Sequence, residues 1–412
     1  MTVLLGKLSK QAWMVAPETL RVMHALQAND GDARFVGGCV RDALVNRRVM
    51  DIDIATPLKP EEVIARLEAD KITVVPTGLK HGTVTAVIDG SPFEITTLRR
   101  DVATYGRHAD VDFTDDWRVD AARRDFTMNA LSATIDGDVH DYFGGMEDLR
   151  IGRVAFIGDA EARIREDVLR ILRFFRFYAH LGRGAADVAA LAACEKMADQ
   201  IPRLSAERVR TETLKLLESP RCADVWQLMM EHRIVTQFLP EATHVERLRR
   251  LVALEEKYHS PGFVMRRLAA VLEVTVQGVS DISHDLRLSN EQTQQLYAML
   301  EPALDVHLRM TEKQTRAVVY RLGNDLVRSL LLLQAADKGQ EENLAEIYTC
   351  ATGFRAPRFP MLGDDVLALG IAAGPEVGRI LANIEDWWVA QDFVPGRTAC
   401  LKKLQTDYAQ RA

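Results

Sequence analysis

Gly37-Gly38-Cys39-Val40-Arg41-Asp42, followed nine residues later by Asp51-Ile52-Asp53, combines the two chemistries that nucleotidyl transfer needs. A glycine turn lets backbone N–H groups approach a triphosphate, because no Cβ holds the ligand away. Two carboxylates one residue apart share one face of a β-strand, and they repel unless a hard cation such as Mg²⁺ lies between them. Asp51 and Asp53 are therefore the candidate catalytic and metal-binding residues. Glu94, in Phe93-Glu94-Ile95-Thr96-Thr97, is a candidate third acidic ligand from a neighbouring strand. An isolated Asp-x-Asp is more often a solvated turn. Placed after the glycine turn and flanked by Ile52 and Ile54, the pair reads instead as a half-buried strand.

Two further groups of residues fit the same chemistry. Arg123-Arg124-Asp125-Phe126-Thr127-Met128-Asn129-Ala130 offers guanidinium forks for phosphate oxygens. Asp125 is placed to orient an arginine, and Asn129 to reach a ribose hydroxyl or lock the backbone. In Glu166-Asp167-Val168-Leu169-Arg170, continuing to Arg173 and Arg176, helical periodicity makes Asp167 and Arg170 neighbours at i,i+3. The bland reading of that pair is a surface ion pair. The sharper reading is a base reader: a carboxylate accepts the exocyclic amino proton of cytosine or adenine while a guanidinium donates to the ring nitrogen. Uracil and guanine present the opposite polarity and would leave buried groups mismatched.

These groups must be positioned by two kinds of structure. From about Arg34 to Phe143, short β-branched runs (34–36, 51–55, 83–88, 93–97 and 133–135) alternate with turn residues. Helical patterns at 40–45, 60–70 and 121–130 interrupt them, which predicts an α+β head. After about Asp159 the strand texture disappears, and helices are predicted over 164–181, 205–217, 222–231, 245–256, 291–304 and 326–336. Pro357–Pro360 reads as a hinge before a last helical segment. The expected domains are a catalytic head at 1–145, a helical neck at 146–240 carrying the base-reading helix, an RNA-binding helical body at 241–355 and a helical tail at 356–412.

Composition bounds the partners. The 412 residues carry a formal net charge of −7, so any RNA contact needs local basic surface rather than overall charge. Arg203, Arg208 and Arg210, with Arg247, Arg249 and Arg250, are candidates for phosphate contacts, each more readily a solvated helix face. Five scattered cysteines without a C-x-x-C argue against a disulfide framework or a zinc site. No apolar run approaches a membrane span, and no secretory signal is evident. The expectation is a soluble cytoplasmic protein without membrane contact or an obligate protein partner.

Together these motifs closely resemble the bacterial class II tRNA nucleotidyltransferases, the CCA-adding enzymes of the nucleotidyltransferase / poly(A) polymerase superfamily. The motif-bearing resemblance runs from about Arg34 to Phe177. It implies a polymerase-beta-like nucleotidyltransferase head followed by an all-α neck, body and tail. It further implies Mg²⁺ as cofactor, CTP and ATP as substrates, and addition of C, C and A to the tRNA acceptor end. By this resemblance Asp51 and Asp53 hold the metal, and Gly38, Arg41, Arg124, Asp167, Arg170, Arg173 and Arg176 bind the nucleotide. Asp101 to Asp116 is similar to the family's flexible loop for switching from C to A addition. His81 is more readily structural than catalytic. Poly(A) polymerases share the catalytic motifs and stay open as an alternative, as does a non-catalytic RNA- or nucleotide-binding relative.

Overall fold

A computed structural model describes residues 4–29, 31–105 and 108–408. The chain divides into two compact units, Met1–Pro240 and Glu241–Ala412.

The first unit is built on an eight-stranded mixed sheet. Its strands are β1 (Leu4–Lys7), β2 (Arg34–Val36), β3 (Asp53–Thr56), β4 (Thr73–Gly78), β5 (Thr83–Ile88) and β6 (Ser91–Thr97), joined by β9 (Ser132–Ala133) and β10 (Asp138–His140). The spatial order is β1-β10-β9-β2-β3-β6-β5-β4, and β3 and β6 are its parallel pair. Strict alternation along Thr83–Ile88 buries Val84, Ala86 and Ile88 on one face. The β5–β6 hairpin closes through Asp89 and Gly90, both at positive φ (48° and 82°), as a two-residue Asp-Gly turn requires.

A separate hairpin, β7 (Arg99–Tyr105) and β8 (His108–Phe113), replaces most of the loop expected between Asp101 and Asp116. Gly106 and Arg107 of that segment lie outside the described residues. A glycine and short polar side chains read as a loop, yet the two runs pair antiparallel from Arg99↔Phe113 to Tyr105↔His108. The hairpin is rooted in the main sheet, because Leu98 N–H donates to Thr56 O at 2.8 Å and Thr114 N–H donates to Leu98 O at 2.9 Å.

Helices of this unit are α1 (Pro17–Gln27), α2 (Gly38–Leu44), α3 (Pro60–Ala69), α4 (Trp117–Ala122), α5 (Gly145–Ile151), α6 (Ala160–Glu166), α7 (Leu169–Leu181), α8 (Val188–Lys196), α9 (Ala206–Leu217) and α10 (Cys222–Glu231). Two sequence expectations are corrected here. The helix expected at 121–130 ends at Ala122, and the octet continues through an extended Phe126 into a short 3-10 turn, Thr127–Asn129. The helix expected at 164–181 breaks at Asp167, whose backbone is extended (φ −153°, ψ 108°). A hydrophobic stripe on α7 then packs against the octet. Phe126 lies 5.5 Å from Phe177 and 6.5 Å from Phe174 between ring centroids, and Phe126, Phe174 and Phe175 are fully buried. Each such ring contributes about 1.5–3 kcal/mol by leaving water.

The second unit is helical among the described residues. It contains α11 (Val245–Lys257), α12 (Val264–Val271), α13 (Val276–Asp285), α14 (Asn290–Leu300), α15 (Glu312–Leu322), α16 (Asn324–Lys338) and α17 (Leu344–Gly353), followed by α18 (Gly363–Leu367), α19 (Pro375–Ala390) and α20 (Arg397–Tyr408). A buried triad ties α11 to α12: Glu255 Oε1 accepts from Arg266 Nη2 at 2.6 Å, and Oε2 accepts from Arg267 Nε at 2.8 Å. Between α17 and α18 the segment expected as a hinge is a strap tied at both ends. Asn324 Nδ2 donates to Phe354 O at 2.9 Å, and Arg397 Nη1 donates to Pro360 O at 2.9 Å. Ala317 and Tyr320 of α15 pack against the core of α19 and α20. No helix among the described residues is long and apolar enough to cross a membrane.

Candidate nucleotide and metal site

The β2–α2 turn opens the site. Gly37 takes φ 68°, and a Cβ there would stand 2.9 Å from Arg124 Nη1, so glycine serves both the backbone and the close approach. One turn into α2, Arg41 is fixed on three sides. Nε and Nη2 each donate to Asp42 at 2.9 Å, Nη1 donates to Asn129 Oδ1 at 2.7 Å, and the guanidinium lies 4.9 Å from the Phe177 ring centroid. Asn129 in turn donates from Nδ2 to Asp125 Oδ1 at 2.9 Å. Its side chain thus locks Arg41 to the octet.

Asp125 is the node between octet and α7. Oδ1 also accepts from Phe126 N–H at 2.9 Å, while Oδ2 accepts from Arg173 Nε at 2.6 Å. Burial pushes this carboxyl up, but the Arg173 charge and the three kinds of hydrogen bond outweigh it and hold it below the usual carboxylate range. Asp120, on α4, gathers its own set of donors. It accepts from Arg99 N–H at 3.3 Å, Arg123 Nε at 2.9 Å and Arg124 Nη2 at 3.3 Å. Its burial is likewise overcome by the two arginines, so its carboxyl is also held low. Sequence reasoning missed Asp120, although its i,i+3 and i,i+4 spacing to Arg123 and Arg124 was a readable signal.

The side chains of Asp167 and Arg170 do not pair with each other, although Arg170 N–H donates to Asp167 O at 3.0 Å. Because Asp167 occupies the break before α7, its Oδ1 accepts from Leu169 N–H at 3.1 Å, and Oδ2 accepts from Arg208 Nη2 at 2.6 Å. Arg170 instead donates to Glu166 Oε2 at 2.7 Å, and to the carbonyls of Arg163 and Arg123 at 3.1 Å each. Arg176 pairs with Glu212 of α9 at 2.8 Å and covers the Phe177 ring at 4.3 Å. Burial, with Arg173 and Arg41 nearby, presses its pKa down against the pull of Glu212. Arg208, read from sequence as a phosphate contact, is therefore engaged with Asp167. Glu212 was missed altogether.

Most of these groups line one open cavity of about 550 Å³. Gly37, Gly38, Arg41, Arg124, Asp167, Arg170, Arg173 and Arg176 line it, as do Arg99, Arg123 and Arg208, and Asp53 is at its wall. Eight arginines line the cavity with four carboxylates (Asp53, Asp125, Glu166 and Asp167), while Asp42, Asp120 and Glu212 pair with some of those arginines from outside the lining, so guanidinium donors suited to a triphosphate dominate its wall.

The acidic residues are arranged differently from the sequence expectation. Asp53 begins β3, but Asp51 lies before the strand and is exposed, so the two do not share a strand face. Glu94 on β6 is in parallel register with Asp53, which places the two residues side by side on the sheet. Burial first, then Glu94 and Asp51, push the Asp53 carboxyl up, with Arg124 opposing. Burial and two neighbouring carboxylates thus disfavour the charged form of Asp53, and a bound divalent cation would relieve that cost. Among the described residues no three His, Cys, Asp or Glu side chains form a cluster able to hold a metal. His81 ends a 3-10 turn after β4, and its carbonyl receives Arg99 Nη1.

A guanidinium-lined cavity walled by an acidic strand end, on this mixed sheet, defines a head of the nucleotidyltransferase class. Comparison with known proteins agrees. Residues 33–155 match the Poly A polymerase head domain, and residues 187–245 match the family described as the probable RNA and SrmB-binding site of polymerase A. The mitochondrial CCA tRNA nucleotidyltransferase 1 of Danio rerio is 34% identical over 386 residues, covering 92% of this chain and 88% of that one. The CCA-adding enzyme of Geobacillus stearothermophilus is 33% identical over 378 residues, covering 89% and 91%. A crystal structure of the Bacillus stearothermophilus CCA-adding enzyme in complex with CTP superposes with a TM-score of 0.75 at 28% identity, over 96% of this chain and 98% of that one. The chain belongs to the CCA-adding tRNA nucleotidyltransferase family. Enzymes of this class generally work with divalent metal ions.

Proposed function

We propose that this enzyme, in the cytoplasm, adds C, C and A to the 3′ end of tRNA from CTP and ATP, releasing pyrophosphate and using no nucleic-acid template. The observation that carries the reading is the single cavity in which Asp167 and Arg170 share walls with Asp53 and the phosphate-sized set of arginines. Residues 1–145 then act as catalytic head, 146–240 as neck, 241–355 as RNA-binding body and 356–412 as tail.

Arg41, Arg124, Arg173 and Arg176 receive the triphosphate, with Gly38 allowing its close approach. Most of these guanidiniums are already held by Asp42, Asp120, Asp125 or Glu212, so little ordering remains to be done on binding. Asp51 and Asp53, with Glu94 beside Asp53 on the neighbouring strand, would hold Mg²⁺, which when bound would lower the pKa of the attacking hydroxyl and steady the leaving pyrophosphate. Asp167 accepts the amino proton of C or A, and Arg170 donates to the adjacent ring nitrogen. Their protein partners fix both groups before the base arrives, so a base of opposite polarity meets unmatched, desolvated groups. The β7–β8 hairpin is the element for switching from C to A.

The test supplies tRNA lacking CCA with CTP, ATP or both. Two C residues with CTP alone, and a completed CCA that then stops with both, support the reading. Continuous A addition on generic RNA would replace it with poly(A) polymerase activity, and nucleotide binding without pyrophosphate release would make the chain a sensor.

A further inference from the structure

The strap Phe354–Pro360 is exposed chain that is nevertheless fastened. Besides the hydrogen bonds at its ends, Phe354 lies 5.4 Å from the Phe393 ring and Phe359 lies 5.4 Å from the Trp388 ring. Phe354 itself is extended (φ −69°, ψ 125°). Ala356 and Phe359 precede prolines, which disfavours helix at both, and Pro357 and Pro360 have φ fixed near −65° by their rings. Such a run approaches polyproline II geometry, with three residues per turn and a rise of about 3.1 Å per residue. Residues three apart then point the same way, about 9 Å from each other.

Arg355 and Arg358 are three apart, and both are exposed. Neither guanidinium has a hydrogen bond or ion pair among the described residues, unlike the three arginines of α11 that the sequence favoured. Arg247 donates to the carbonyls of Ala269, Ala270 and Leu272 and to Asp337, which caps the end of α12. Arg249 and Arg250 both pair with Glu246. The basic residues of α11 therefore support the fold, whereas Arg355 and Arg358 face solvent three residues apart on the strap.

The geometry points to the strap as a phosphate rail: Arg355 and Arg358 grip phosphates of one RNA strand, held at fixed spacing by a stiff proline-bracketed backbone. This rests on the tRNA-extending reading above. RNA is favoured because two side chains of the same sign at fixed spacing match a polyanion with regular charge, and guanidinium forks suit phosphate oxygens.

The experiment measures tRNA binding by the full chain across a salt series, for wild type, Arg355→Ala/Arg358→Ala and Arg355→Lys/Arg358→Lys. The alanine pair is expected to weaken binding about three- to tenfold at moderate salt, and to flatten the slope of log K against log[salt] by about 1.4–1.8. The lysine pair restores most of the slope, and the rate of CMP addition at saturating tRNA is unchanged throughout. Wild-type activity with an unaltered slope in the alanine pair overturns the rail alone. A wild type that neither binds nor extends tRNA overturns the rail and the functional reading together.

Discussion

Asp167 Oδ2 lies 2.6 Å from Arg208 Nη2, so the carboxylate proposed to read the base is anchored by α9 and not by the arginine three residues away. Arg208→Ala frees that carboxylate to rotate. Discrimination of C over U, measured as the ratio of kcat/KM values, should fall about 10- to 100-fold, with Asp167→Ala losing at least as much. Retention of strict selection by Asp167→Ala would refute the base-reading role.

Asp53 gives a prediction in which activity and stability diverge. Its folded-state pKa is raised, so ionisation costs the native state stability as pH climbs through the window between the unfolded and folded values, and the penalty persists at neutral pH. Asp53→Asn should abolish nucleotide addition, and calorimetry should find it melting at or above the wild-type temperature.

Asp125 behaves oppositely. Its folded-state pKa is depressed, so its stabilising contribution is complete above the unfolded value of about 3.9 and is lost as pH falls through the folded one. Asp125→Asn should be less stable than wild type in urea at pH 7, by about 1–3 kcal/mol for a weakened charge-assisted network. The gap should close in acid. A gap that stays constant down to pH 3 would remove the carboxylate's charge as its cause.

Asp120 joins the root of the β7–β8 hairpin to Arg123 and Arg124. Asp120→Asn keeps the shape and loses the charge. Steady-state assays should show KM for CTP and ATP rising about tenfold, with a smaller change in kcat.

Legibility in the sequence differs from element to element. Residues 34–36 and 83–88 are legible to the residue because their β-branched runs end at clear turn signals. Thr73–Gly78 is not: it is the edge strand of the sheet, mostly exposed and interrupted by Pro76, so it buries too little to show a pattern. The break at Asp167 is hidden because Val168 sits four residues after Ile164 and carries the helical period across it. Gly38, Arg41, Arg124, Asp167, Arg170, Arg173 and Arg176 are all marked by their motifs, and the structure brings them to one cavity. Among their partners, Asp120 is legible by its i,i+3 and i,i+4 spacing to Arg123 and Arg124, whereas the roles of Arg208 and Glu212 are identified only by contacts that the motifs do not contain.

The lone carboxylate shared by Arg266 and Arg267 has a consequence away from all chemistry. Glu255→Gln or Glu255→Ala would leave two guanidiniums facing each other in a dry interior, a change costing about 3–5 kcal/mol when a buried partner is removed. Such a loss takes a large share of the margin holding an ordinary domain together. Cells carrying that allele would show too little of the enzyme rather than an altered one, and raising its expression at low temperature would recover normal turnover per molecule.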